Sequence, residues 1–473
     1  MPRSIPKISI FTLAMINVAA IISLKNFPVT AEYGLQLVFY IVLSSLIFFI
    51  PTALVSAELA TGWPKRGGIY IWLREAFGAK WAFLGIWLQW VENVIWYPTI
   101  LSFAASSFAF IFNPAWAENK IFMLMMILVS FWFFTWINFM GMRASGFISS
   151  FGVLAGTVIP SILIIALGFL WIFKGEPLAI GVSFRDWIPD LSNRNNIVFF
   201  NGILLGLAGM EMSAVHAEEV KNPQKNYPRA ILLSTLIILI LSILGSLAIA
   251  IVIPQSQIEL VEGVMQTFYA FFRAYRMEWM TPVIALLTTI GALAMVSTWI
   301  IGPTKGLLAT ANHGDLPPWF GKMDEKGVPI SILFLQGIIV TALSLIFLFM
   351  PTVSSSYWIL SVLTAQLYLI MYILMFAAAI KLRYSKPEVA RSFRVPGGNY
   401  GMWAICGIGT LGSLFAIAAG FIPPDIYTGS VFFYEAFLLA GIGILCAAPL
   451  LIAHYKKPSW QRHIKEGENG DEP

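Results

Sequence analysis

The sequence predicts an all-α protein that crosses a membrane many times, and three observations carry that prediction. Hydrophobic residues make up 58% of the 473 residues and charged residues only 11%, with a mean hydropathy of +0.80, far from the balance of a soluble domain. Apolar runs long enough to cross a hydrocarbon core of about 30 Å recur along the whole chain. These runs lack the short alternating stretches of barrel strands, so helices are the only spanning element that fits.

Twelve runs are read as spans, near 8–30, 36–57, 82–112, 120–140, 149–173, 196–216, 230–254, 279–308, 329–350, 355–380, 402–422 and 431–455. The first reads as an anchor rather than a cleaved signal, because it is long enough to span and no small-residue cleavage site follows it. With the N-terminus inside, 22 of the 29 lysines and arginines fall on the cytoplasmic side. Positive loops stay inside, so both termini are expected in the cytoplasm. The net charge of +5 is then a topology signal and implies no nucleic-acid partner. The loops are too short for a separate domain, and the tail 456–473 is polar and expected to be disordered. One membrane-spanning domain over 1–455 is expected.

Cofactor chemistry has little to stand on. Cys406 and Cys446 lie in separate apolar spans with no paired spacing, which reads as core packing. His216, His313, His454 and His463 are scattered, so no metal site and no cofactor are expected. An intramembrane enzyme would need a nucleophile and base within reach, and no such constellation is visible.

Function is therefore sought at ionisable residues inside spans, where a charge costs at least about 2.5–3.5 kcal/mol. Glu211 in the sixth span and Glu92 in the third are the two that qualify. Gly206 and Gly209 precede Glu211, and glycine permits backbone that other residues avoid. A break over Gly206, Leu207, Ala208 and Gly209 would expose carbonyls and amides suited to an amino acid's ammonium and carboxylate. Close helix packing is the plainer reading of the same glycines. If spans 1–5 and 6–10 are inverted repeats, span 1 should break correspondingly; there Ala19, Ala20, Ile21, Ile22 and Ser23 precede Pro28, without a glycine. Lys25 either faces the outer path and attracts an anionic group or snorkels to the interface. Trp299 lies mid-span, while Tyr368 and Tyr372 are four apart on one helix face.

Three cytoplasmic stretches together resemble the amino acid–polyamine–organocation superfamily: "AELATGWPKRGGIYIWLREAFG", "EEVKNPQKNYPRA" and "ATANHGDLPPWFGKMDEKGVP". Within it the chain is similar to the glutamate:GABA antiporter group, through "GVMQTF", "WIIGPTKG", "FRVPGG" and "FIPPD". The resemblance implies the five-plus-five inverted repeat (LeuT-like) with helices 1 and 6 broken, repeats near 8–173 and 196–380, and helices 11 and 12 over 402–455. It implies that residues 19–23 and 206–209, Trp299 and Tyr372 bind substrate and that Glu211 couples the gates or carries a proton; Glu92, Tyr368 and Lys25 are further gating or proton-carrying candidates on their own positions. Met295 stands where that group has a carboxylate, and Glu92 adds one elsewhere. The implied activity is amino acid exchange by alternating access in a bacterial inner membrane, with a proton-coupled symporter as the alternative. Sodium coupling would draw on Ser297 and Thr298. The partners are a small amino acid or amine and the bilayer; monomer or homodimer is left open.

Overall fold

The computed structural model describes residues 8–64, 67–139, 152, 154–190, 192–212, 220, 222–324 and 327–460. Among these the chain is helical, with one isolated parallel bridge between Ile8 and Val220. The helices are α1 Ile10–Ile21, α2 Phe27–Ala31, α3 Leu37–Ser44, α4 Ile50–Gly62, α5 Ile69–Phe77, α6 Ala79–Phe112, α7 Lys120–Phe139, α8 Ile159–Phe173 and α9 Arg194–Gly206. They continue with α10 Pro223–Ala250, α11 Gly263–Ala274, α12 Met280–Asn312, α13 Ile330–Ser344, α14 Ile346–Phe349, α15 Val353–Ser385, α16 Gly398–Gly420 and α17 Val431–His454.

Local chemistry accounts for their ends and irregularities. Ser9 Oγ accepts from the Thr12 amide and Asn193 Oδ1 from the Asn195 amide, satisfying donors that a helix start leaves open. A π-helical turn, Ser45–Phe49, joins α3 to α4; Pro51 follows it and has no N–H for the carbonyl four residues back. In α12, Pro303 likewise has no N–H for the Trp299 carbonyl, which instead accepts from the Tyr97 hydroxyl at 2.7 Å.

Ten of the described helices are long and apolar enough to cross a membrane, or eleven if the bent pair α1 and α2 counts as one span. Twelve were expected. The sixth expected span is helical only as far as Gly206, and residues 213–216 lie outside the described part. The chain divides into two compact units. The first comprises Met1–Ala76, Ile159–Glu278 and Tyr368–Pro424; the second comprises Phe77–Val158, Trp279–Leu367 and Asp425–Pro473.

In the first unit α1 packs along α10, and α9 packs on α16. Gly245 of α10 makes room for the Phe27 ring, since a Cβ there would lie 2.3 Å from it. In the second unit α12 packs along α6. The π-helical turn 154–158 also packs on α12, where Gly156 and Gly291 bring two backbones together, because a Cβ on Gly156 would lie 2.2 Å from the Leu287 carbonyl oxygen. Small residues serve this purpose in membranes, where lipid is as apolar as a leucine and contact distance decides association. Of the tail expected to be disordered, Lys456 is placed, with its Nζ 2.6 Å from Asp315; residues 461–473 lie outside the described part, as do His216 and His463.

Candidate functional site

The chain loses its helix at the glycines of the first unit. α9 ends at Gly206, and Gly209 has a φ of 118°, a value that L side chains rarely adopt. A Cβ at Gly206 would lie 3.3 Å from Asn26 Nδ2, so the first glycine allows a close approach and the second a change of direction. Leaving the helix removes the usual carbonyl partner of the Gly209 amide. That amide instead donates to the Tyr372 hydroxyl at 2.8 Å.

Tyr372 passes the interaction on. Its hydroxyl donates to one oxygen of Glu211, and the Tyr368 hydroxyl donates to the other. All three side chains are buried, at 3% exposure for Glu211, 5% for Tyr368 and none for Tyr372. The two phenol rings are 4.9 Å apart, as expected for neighbours one helical turn apart. Phe48, from the π-helical turn, packs edge-on against Tyr372 at 5.1 Å. Glu211, Tyr368 and Tyr372 thus form one hydrogen-bonded group attached to the break.

The first span breaks as well, but over a shorter stretch than expected. α1 and α2 meet at 52°; Ile22 has ψ 120° and Ser23 has φ −138° and ψ 126°. Ala19, Ala20 and Ile21 stay helical, contrary to the unwound 19–23, because alanine is the best helix former and their hydrogen-bonded turn continues to Ile22, whose amide bonds the Val18 carbonyl. Lys25 is 2% exposed on the 3-10 turn Leu24–Asn26. It is packed inside protein, which overturns the snorkelling alternative.

A cavity of about 20 Å³ lies between the two breaks, lined by Ile21, Ile22, Ser23, Asn26, Gly206 and Leu207 among others. That is room for one water-sized group, smaller than an amino acid. Ala19, Ala20, Ala208 and Gly209 are not among its lining residues.

Trp299 and Glu92 belong to the second unit. The Trp299 ring lies 6.2 Å from that of Trp96. Glu92 is 4% exposed and accepts from Asn93 Nδ2 at 2.5 Å. Met295 and Ser297 are buried in α12; the Thr298 side chain lies outside the described part. Cys406 is buried, with its Sγ 3.3 Å from Met402 Sδ. No group of metal-ligating side chains occurs among the described residues.

Sequence reasoning missed two charged features of the first unit. Glu58 of α4 is 1% exposed, and Arg383 grips it through Nε and a terminal nitrogen, each at 2.5 Å. Arg391 Nε lies 3.5 Å from the same carboxylate. These arginines were counted only as topology signals, and Glu58 sits among small residues without a local pattern. Glu32, just beyond α2, is 7% exposed; burial and the nearby Glu259 push its carboxyl up to about 8. Its carbonyl accepts from Gln255 Nε2 at 2.6 Å.

The family model "amino acid permease" matches residues 8–444. The chain is 48% identical to an uncharacterized transporter of Legionella pneumophila over 94% of its own length and 96% of that protein's. It is 31% identical to the glutamate/gamma-aminobutyrate antiporter of Lactococcus lactis, covering 98% and 92% of the two chains. A probable agmatine/putrescine antiporter of the same species is 25% identical over 83% of each. With two broken spans, a buried carboxylate beside one of them and this match over nearly its whole length, the chain belongs to the amino acid permease family of the amino acid–polyamine–organocation superfamily, and it is a membrane transporter rather than an enzyme.

Proposed function

We propose that the protein exchanges amino acids across a bacterial inner membrane by alternating access, with substrates of the glutamate/γ-aminobutyrate type. The observation that carries this reading is the pair of helix breaks on one cavity, with the Gly209 amide and a buried carboxylate tied together by Tyr372. Carbonyls at the ends of α1 and α9 suit an ammonium, and amides released by the breaks suit a carboxylate. In this reading residues 22–23 and 206–209 and Tyr372 line the substrate's place, while Glu211, Tyr368 and Lys25 gate it. Twelve spans form two inverted repeats of five plus two further helices, with both termini cytoplasmic.

The antiporter relative supports exchange rather than symport, but the burial of Glu211 supports a second reading. An ionisable side chain buried inside a span is costly and marks a candidate proton relay, so Glu211 is a candidate proton carrier in a symporter. Proteoliposomes preloaded with single unlabelled amino acids separate the two. Uptake of labelled glutamate that requires internal substrate establishes exchange. Uptake into empty vesicles driven by an inward proton gradient establishes symport, and no uptake of any amino acid or amine refutes both.

A further inference from the structure

The buried ion cluster at Glu58 lies within the first unit, as does the tyrosine pair, and α15 connects them. Glu58 accepts from three donors, Arg383 Nε and a terminal nitrogen at 2.5 Å each and the Val395 amide at 2.7 Å, and pairs with Arg391 Nε at 3.5 Å. Arg391 is itself held by the carbonyls of Leu382 at 2.9 Å and Lys386 at 3.1 Å, and it lies over the Trp63 ring at 5.1 Å. A paired guanidinium fork fixes both distance and plane, which a single contact cannot do.

Arg383 and Tyr372 share one unbroken helix, α15. They are eleven residues apart, about three turns, so they project from nearly the same face. The intervening stretch, "ILMFAAAIKL", has no glycine or proline, leaving no hinge between them. The same face follows α3 and α4 along its length. Phe48 meets the Tyr372 ring, Ser56 Oγ donates to Met375 Sδ at 3.6 Å, and Glu58 holds Arg383. A rotation or slide at the arginine would therefore arrive at the tyrosine.

We infer that Glu58 is a positioning residue for the gate. Through Arg383 and the stiff half of α15 it sets the rotation at which Tyr372 meets the Gly209 amide and both tyrosines meet Glu211. The inference rests on the transport reading for its functional consequence, but not for its structural one. A plainer role would be to anchor the loop 391–398 alone, since Val395 and Phe393 are also tied to α4 through Glu58 and Thr61.

Hydrogen exchange read by mass spectrometry, combined with exchange kinetics in proteoliposomes, distinguishes the two roles. In Glu58→Gln and in Arg383→Lys, which keeps the charge but loses the fork, the peptide containing Gly209 should exchange about tenfold faster than in wild type. The maximal transport rate should fall about tenfold while the apparent substrate constant changes less than about twofold, and Glu58→Asp should recover part of both. If Glu58→Gln does not fold, Arg383→Lys and Glu58→Asp carry the measurement. Faster exchange confined to 391–398, with the Gly209 peptide protected as in wild type, overturns the inference. Should the wild type carry no amino acid, the transport reading falls, while Gly209 protection still decides the positioning role.

Discussion

Two buried carboxylates of the first unit are held by opposite means. Glu211 accepts from two phenol hydroxyls, which carry no charge, and Glu58 from two guanidiniums, which do. Phenols solvate a carboxylate and can release it by a rotamer change, so they suit a group that must change partners. Guanidiniums in a bidentate fork hold a fixed ion, and losing one leaves an uncompensated charge. The same residue type therefore serves as a movable group at the break and as a fixed point at the end of α15, about three turns away.

The largest expected effect tests the fixed point. Arg383→Ala should destabilise the protein by about 3–5 kcal/mol, because Glu58 stays buried with one strong partner removed; thermal unfolding of the purified protein measures it. A small shift would make Glu58 as loosely held as Glu211 and dissolve the contrast. Glu211→Gln should keep the fold yet lower exchange by about tenfold or more, or flatten its pH profile. Unchanged transport across pH would remove Glu211 from the mechanism.

Tyr372→Phe sharpens the comparison at the level of one hydroxyl. It leaves the Gly209 amide and one Glu211 oxygen without their donor or acceptor, a cost of about 1–3 kcal/mol, and the apparent substrate constant should rise by about fivefold. Wild-type kinetics would return Tyr372 to packing. The last test concerns a third carboxyl, Glu32, which faces Glu259 rather than a cation. Its folded-state value of about 8 is above the usual value near 4.3, so the folded state binds the extra proton between them. Stability should then fall as pH rises from about 5 to about 8, and Glu32→Gln should remove that slope. A slope that persists in the variant assigns it to another group.

Gly206 and Gly209 marked their break without any neighbour being known, since glycine's freedom is a property of its own backbone. The matching break at Ile22 and Ser23 has no such mark; Ala19 to Ile21 read as equally unwound and proved helical. Its position depends on what packs around it, with Phe27 seated against Gly245 and Pro28 against Gly263. Lys25 gave two readings from its place near a span end, and only burial by the rest of the fold removed the snorkelling one.

Composition, apolar run length and the placement of lysines and arginines were enough to read a many-span helical membrane protein, because insertion into a bilayer is decided segment by segment by transfer energies; transport entered only with the resemblance of its loops. Spacing alone put Tyr368 and Tyr372 on one face. Their contact with Glu211 joins residues 157 and 161 positions apart, and the Glu58 fork joins residues 325 apart. Those pairings depend on how helices pack against one another, an outcome of the whole chain's contacts that no local window contains.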